Sequence, residues 1–250
     1  MDMLNFQDQV AVVTGGSSGI GKATVEAFVN HGAKVVVADF SDAGQMLVDD
    51  LNKQGHDTLF VKTDVTSEAD TINMVERVVE HFGKIDVLFA NAGIGLGAEI
   101  TELSLDSWQK VIDVNLTGVY LSDKYVIQQM LKQPQGGAIV NCGSIHSFVG
   151  KKGVTAYSAA KGGVKLLTQT LATDYAAKNI RINAICPGYI DTPLLKEIQG
   201  EQRQALIDLH PQGRLGKPEE VANAVLFLAS GYASFINGTS LLIDGGYTAQ

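Results

Sequence analysis

Gln9-Val10-Ala11-Val12-Val13-Thr14-Gly15-Gly16-Ser17-Ser18-Gly19-Ile20-Gly21 is the stretch whose reading decides the fold. Its first part, short, apolar and rich in valine, has the pattern of a strand buried on both faces. A glycine-rich turn follows, and Lys22-Ala23-Thr24-Val25-Glu26-Ala27-Phe28-Val29 then takes up helical spacing. Small residues let a backbone approach a pyrophosphate closely, and the helix N-terminus offers unpaired N–H groups and a positive dipole end to hold it. The glycines are spaced G-x-x-x-G-x-G, which departs from the G-x-G-x-x-G of the general dinucleotide fingerprint.

Working outward, a second apolar run at 34–39 ends in Asp39, twenty residues after Gly19. An acid at the end of the second strand accepts hydrogen bonds from adenosine ribose hydroxyls and repels a 2′-phosphate, which points to NAD rather than NADP. Ser17, Ser18 and Phe40, the positions where a compensating cation would stand, are uncharged. The alternative is that Asp39 caps the next helix, although Ser41 and Asp42 serve that purpose equally well. Further strands are expected at 58–62, 85–89, 138–142, 180–185 and 240–244. Helices are expected at 43–53, from a cap at Ser67 to about 82, at 107–130, from near Tyr157 to about 178, and at 218–229.

Seven strands alternating with helices need long crossovers. The expectation is therefore an α/β chain, a single-domain Rossmann-type doubly wound fold over residues 1–250, with a seven-stranded mainly parallel sheet and helices on both faces. In such sheets ligands gather at the carboxyl ends of the strands. Asn91-Ala92-Gly93 lies at one such end, as a plain turn or as small residues against a ligand. Asn115 and Gly118 fall inside the 107–130 helical pattern and mark a local distortion, because an asparagine amide competes for backbone hydrogen bonds. Residues 191–217, punctuated by Pro193, Pro211 and Gly213, read as a substrate-binding loop or lid.

With 45% hydrophobic and 18% charged residues, the chain has the apolar content for a substantial core, which excludes disorder. A formal net charge of −8 disfavours nucleic acid and anionic membrane as partners. The first residues lack a secretory signal pattern and no apolar run reaches the ~18 residues of a membrane span, so a cytoplasmic protein is expected. The two cysteines, Cys142 and Cys186, are too few for a disulfide framework and read as reduced core thiols that come close if their strands are neighbours.

Tyr157-Ser158-Ala159-Ala160-Lys161 puts a phenol and an ammonium on one helix face, with Ser144 thirteen residues earlier. A free tyrosine is a poor base at neutral pH, and a nearby cation favours its phenolate. Lys161 is therefore expected to lower the pKa of Tyr157.

Taken together, these motifs resemble the classical short-chain dehydrogenase/reductase family along essentially the whole chain. The residues that carry the resemblance are the turn from Thr14 to Gly21, Asp64-Val65, Asn91-Ala92-Gly93, Asn115, Ser144, Tyr157-x-x-x-Lys161 and Pro187-Gly188. The G-x-x-x-G-x-G spacing is the family's own. The resemblance implies an NAD-dependent short-chain alcohol dehydrogenase or carbonyl reductase, with hydride exchanged between NAD and a secondary alcohol or ketone. Tyr157 is the implied general acid/base, Ser144 polarises the substrate oxygen, and Lys161 holds the nicotinamide ribose. Asn115 anchors a water that links Lys161 to solvent. Gly15, Ser17, Ser18, Gly19, Ile20, Gly21, Asp39 and Phe40 would contact the dinucleotide. Asp64 and Val65 would flank the adenine, and Asn91, Ala92 and Gly93 would line the groove. Pro187 and Gly188 would also bind the cofactor, and Ile190 and Thr192 would contact the carboxamide.

Ile94, Leu96, His146, Phe148, Tyr189, Leu194, Leu195 and Ile198 are the candidate substrate walls, mostly apolar, which suits a lipophilic or mid-sized alcohol or ketone. His146 contacts a polar substrate group or is structural. The family also implies a homotetramer built on the two long helices. The C-terminal carboxylate of Gln250 is a candidate Mg²⁺ ligand between subunits. Alternative readings are a 3-oxoacyl-[acyl-carrier-protein] reductase, which Asp39 opposes, and a non-catalytic NAD sensor or scaffold.

Overall fold

The structure, a computed structural model, describes residues 4–195 and 198–250, and the side chain of Leu194 lies outside the described set. Seven strands alternate with helices in chain order: β1 (Val10–Thr14), α1 (Gly19–Asn30), β2 (Lys34–Asp39), α2 (Ala43–Lys53), β3 (Thr58–Lys62), α3 (Glu68–Phe82) and β4 (Val87–Ala90). Then come α4 (Leu105–Ile112), α5 (Gly118–Met130), β5 (Gly137–Cys142), α6 (Thr155–Tyr175), β6 (Ile180–Pro187), α7 (Gly200–Asp208), α8 (Pro218–Ala229) and β7 (Ser240–Ile243). The strand order is β3-β2-β1-β4-β5-β6-β7, and every pairing is parallel. The doubly wound expectation holds, with a sheet parallel throughout rather than mainly so.

Alternation along the strands sorts their side chains to two cores. Ala11, Val13, Val35, Val37 and Phe89 face Val25 and Phe28 of α1, Val48 of α2 and Val221 and Val225 of α8. Val10, Val12, Val36, Leu88 and Ile139 face Met74 of α3, Val126 of α5 and Val164 of α6. Burial on both sides explains why β1 and β2 read as unbroken apolar runs. Phe28 is fully buried edge-on to Phe6, so its truncation to alanine costs about 3–5 kcal/mol.

The structure differs from the sequence reading at several places for identifiable reasons. β4 begins at Val87 rather than Ile85, because the Gln133 side chain pairs both the N–H and the carbonyl of Ile85 in place of a strand. The 107–130 pattern is not one helix: a π turn, Asp113–Thr117, separates α4 from α5. Asn115 Nδ2 donates to the Val111 carbonyl at 3.1 Å, taking the acceptor that a regular turn would give to a backbone N–H. Residues 191–217 are not a bare loop, since they carry a short 3-10 turn, Pro193–Leu195, and α7. Among the described residues no helix is long and apolar enough to cross a membrane.

Candidate active site

β1 pairs with β2 on one side and β4 on the other, so connections leave it in opposite directions and open a crevice beyond its carboxyl end. The floor of that crevice is locked by side chains. Asn91 Nδ2 donates to the carbonyls of Thr14 and Gly15 at 3.0 and 3.1 Å, while Thr14 Oγ1 accepts from the N–H groups of Asn91 and Ala92. A Cβ on Gly15 would stand 2.9 Å from Ala92 Cα, and one on Gly21 only 2.1 Å from the Gly15 oxygen. Neither position admits a side chain. Gly21 therefore packs beneath the turn, whereas Gly15, Ser17, Ser18, Gly19 and Ile20 face the cleft.

The cleft encloses about 1080 Å³ and runs on along Asp39, Phe40, Asp64, Val65, Asn91, Ala92, Gly93 and Ile94 to Asn115, Tyr157, Lys161 and Thr192. Asp39 holds its place by accepting from the backbone N–H groups of Ser17 at 2.9 Å and Ser41 at 2.8 Å. It is thus tied to the glycine turn and does not act as a cap for α2, whose N-cap residue is Asp42. Pro187, Gly188 and Ile190 lie outside the cleft lining. Ile190 is buried in the core, and Gly188 is packed so tightly that a Cβ would meet His210 at 2.9 Å.

At the inner end of the cleft, β5 delivers Ser144 and α6 delivers Tyr157 and Lys161. Ser144 and Lys161 are buried, and Tyr157 is half-buried. Lys161 Nζ donates to the Cys142 carbonyl at 2.6 Å and stands 5.7 Å from the centre of the Tyr157 ring. Lys161 pulls the Tyr157 phenol down as expected, but the net shift is upward. Burial pushes its phenol above the usual tyrosine range, outweighing Lys161 and a hydrogen-bonding interaction with the Ser144 side chain, both of which pull it down. Asn115 is fully buried, and its amide is committed to Ile94 and Val111, with one bond accepted by Oδ1.

His146 is buried beside this group, its ring 6.1 Å from that of Tyr157 and 6.3 Å from that of Tyr189. Burial, opposed by a bond to the Val149 carbonyl and assisted by Lys151, holds its pKa below the usual histidine range. Leu96 and Phe148 are exposed, and Lys165 covers the Phe148 ring at 3.9 Å. Leu195 and Ile198 are half-buried, and the Leu194 side chain lies outside the described set. Arg203 and Arg214, the loop's described arginines, are engaged by Asp191 and Glu220. Cys142 and Cys186 are free and buried on adjacent strands, and burial raises both thiols, Cys186 to about 11. Gln250 donates through Nε2 to the Leu209 carbonyl.

Sequence reasoning missed Thr14 as the lock of the crevice and Lys151 as a neighbour of the site. Thr14 stood in the quoted motif without a role. Lys151 lies in a glycine-bounded loop with no periodicity to aim it, and only the folded chain brings it to Tyr189.

Residues 15–248 match the family described as "Enoyl-(Acyl carrier protein) reductase". The chain is 45% identical over 245 residues to a cis-4-hydroxycyclohexanecarboxylate dehydrogenase of Sinomonas cyclohexanicum, covering 98% of each. It is 42% identical over 247 residues to a cyclohexanol dehydrogenase of an Acinetobacter strain, covering 98% of this chain and 97% of the relative. A solved short-chain type dehydrogenase/reductase from Mycobacterium marinum superposes with a TM-score of 0.95 at 33% identity, covering 100% and 99%. A crevice at a topological switch point and these likenesses together define a nicotinamide-dependent oxidoreductase acting on secondary alcohols and ketones. The chain belongs to the short-chain dehydrogenase/reductase family.

The residues present fit such a cofactor. α1 starts at the cleft with no acid in its first turn and no side-chain bond from Ser18 to its free N–H groups, and Gly15 has no Cβ to block a pyrophosphate.

Proposed function

We propose that this protein is an NAD-preferring dehydrogenase of cyclic secondary alcohols, with Tyr157 as its general acid/base. The observation that carries the reading is the cluster at the inner end of the cleft, where Tyr157, Ser144 and Lys161 meet. The Ser144 hydroxyl donates to the substrate oxygen and orients it, and Tyr157 Oη takes the hydroxyl proton. Lys161 stabilises the phenolate that accepts this proton, because a cation close to a buried anion is attracted strongly in a poorly hydrated wall. The bound nicotinamide supplies the acceptor for the hydride that leaves the carbinol carbon. The remaining lone pair of Asn115 Oδ1 would hold a water that returns the proton by way of Lys161.

Asp39 supports NAD. Its carboxylate, aimed by two backbone N–H groups, accepts from ribose hydroxyls and repels a 2′-phosphate. The same charge weighs against an NADP-linked acyl-carrier reductase. A ring substrate is supported by two relatives whose names specify hydroxylated cyclohexanes and by the apolar wall at Ile94. Residues 191–217 act as the lid, supported by Thr192 and Pro193 in the cleft lining. Exposed Leu105, Tyr120 and Leu166 on α4, α5 and α6 support a homotetramer assembled on those helices. Two unpaired cysteines suit the cytoplasm.

The test is a turnover screen of cyclohexanol, its substituted analogues, open-chain secondary alcohols and an acyl-thioester ketone with each coenzyme. Ring alcohols with NAD⁺ should give the highest kcat/KM. Preference for the thioester with NADPH would overturn the reading.

A further inference from the structure

Lys151 sits in the loop before α6, exposed, with its Nζ 4.5 Å from the centre of the Tyr189 ring and donating to the Tyr189 hydroxyl. Its neighbour Lys152 is neutralised by Glu99 at 2.8 Å, but among the described residues no carboxylate lies within ion-pairing distance of Lys151. Behind Tyr189 stands His146. Its Nδ1 meets the Val149 carbonyl at 3.1 Å and must carry the proton, so Nε2 faces the Tyr189 hydroxyl as an acceptor at 3.5 Å. The Tyr189 hydroxyl proton therefore has only a long bond to hold it, and turning it toward a substrate acceptor loses little. The His146 ring stands edge-on 6.3 Å from that of Tyr189 and 6.1 Å from that of Tyr157, so a chain of ring contacts links the ammonium's partner to the reacting phenol.

We infer that Lys151 and Tyr189 form a carboxylate-binding end of the substrate site, selecting ring alcohols that carry a carboxylate. This rests on the ring-alcohol reading above. The ammonium and the phenol give two donors to one anionic group, the charge-assisted arrangement that discriminates an acid from its neutral isostere. Phosphate monoesters are disfavoured, because a single ammonium offers little to a dianion.

The experiment compares wild type with Lys151→Met, Lys151→Arg and Tyr189→Phe in two ways. With NAD⁺, kcat/KM is measured for 4-hydroxycyclohexanecarboxylate and for cyclohexanol. By calorimetry, the NAD⁺-loaded enzyme is titrated with unreactive cyclohexanecarboxylate and with cyclohexanecarboxamide. Lys151→Met should lower kcat/KM for the acid by about tenfold or more, chiefly through KM, and leave cyclohexanol within about twofold. Lys151→Arg should restore most of the loss, and wild type should bind the carboxylate more tightly than the amide, a preference that Lys151→Met abolishes. Equal losses on both alcohols, or no carboxylate preference in wild type, would overturn the inference. A carboxylate preference that depends on Lys151, in an enzyme that oxidises no ring alcohol, would uphold the anion site and overturn the ring-alcohol reading instead.

Discussion

Asn115 brackets the backbone of Ile94, accepting from its N–H at 3.2 Å through Oδ1 and donating to its carbonyl at 2.9 Å through Nδ2. One side chain thereby fastens the π turn between α4 and α5 to the loop that leaves β4. Asn115→Ala would strand the part-buried backbone groups of Ile94 and the buried Val111 carbonyl, and stability should fall by about 1–3 kcal/mol. Urea unfolding measures this, and a change below about 0.5 kcal/mol would contradict the bracket.

Tyr157→Phe removes the hydroxyl and little volume. kcat should fall by about 10²–10⁴-fold while NADH binding, followed by its fluorescence, stays within a few-fold. Because burial raises the phenol above its ordinary range, ketone reduction, which needs the protonated form, should stay flat through neutral pH. Alcohol oxidation, which needs the phenolate, should climb with pH into the alkaline range. Initial-rate profiles in both directions check the pair, and a reduction rate that already falls near neutrality would contradict it.

Asp39→Ala should lower the NAD⁺ over NADP⁺ ratio of kcat/KM by about tenfold or more, by removing a like charge from the 2′ position and a ribose acceptor together. The glycine turn also loses the anchor at the Ser17 N–H, so kcat/KM with NAD⁺ itself should decline. An unchanged ratio in coenzyme kinetics would reject the role given to Asp39.

Asp123 is fully buried on α5, where Asn141 donates to one of its oxygens at 2.9 Å and, among the described residues, Asp123 Oδ1 and Asn141 Oδ1 have no partner. Burial raises this carboxyl to about 7. Below the unfolded value of 3.8 both states hold the proton and the contribution to stability is at its greatest. Between that pH and about 7 only the folded state holds it, so this contribution falls by about 1.4 kcal/mol per pH unit, and it levels off above. Asp123→Asn should remove this slope, so the stability difference between mutant and wild type should change steadily from pH 4 to pH 7 in denaturant titrations. A pH-independent difference would place the Asp123 proton elsewhere.

Strand and helix order was legible because each element carries its own period. β2, β3 and α2 match the expected 34–39, 58–62 and 43–53, and Ser67 caps α3 by accepting from the Asp70 N–H. Asn115 announced its distortion, since an amide in a helix interior needs a partner and here takes the Val111 carbonyl. The ends of β4 and β6 were not legible. Gln133, forty-eight residues from Ile85, supplies the hydrogen bonds that stop β4 short, and β7 extends β6 to Pro187.

By itself the sequence determined the doubly wound order, the glycine turn and the joint presence of Ser144, Tyr157 and Lys161, because strand burial, turn sterics and helix spacing are local properties of the chain. Tertiary structure alone decided that burial works against Lys161 at Tyr157, that Gly188 packs against His210 and Ile190 into the core, and that Lys151 donates to Tyr189. Those outcomes depend on how much water the packed chain excludes and on which distant loops it brings together, and neither quantity has a period that a sequence can display.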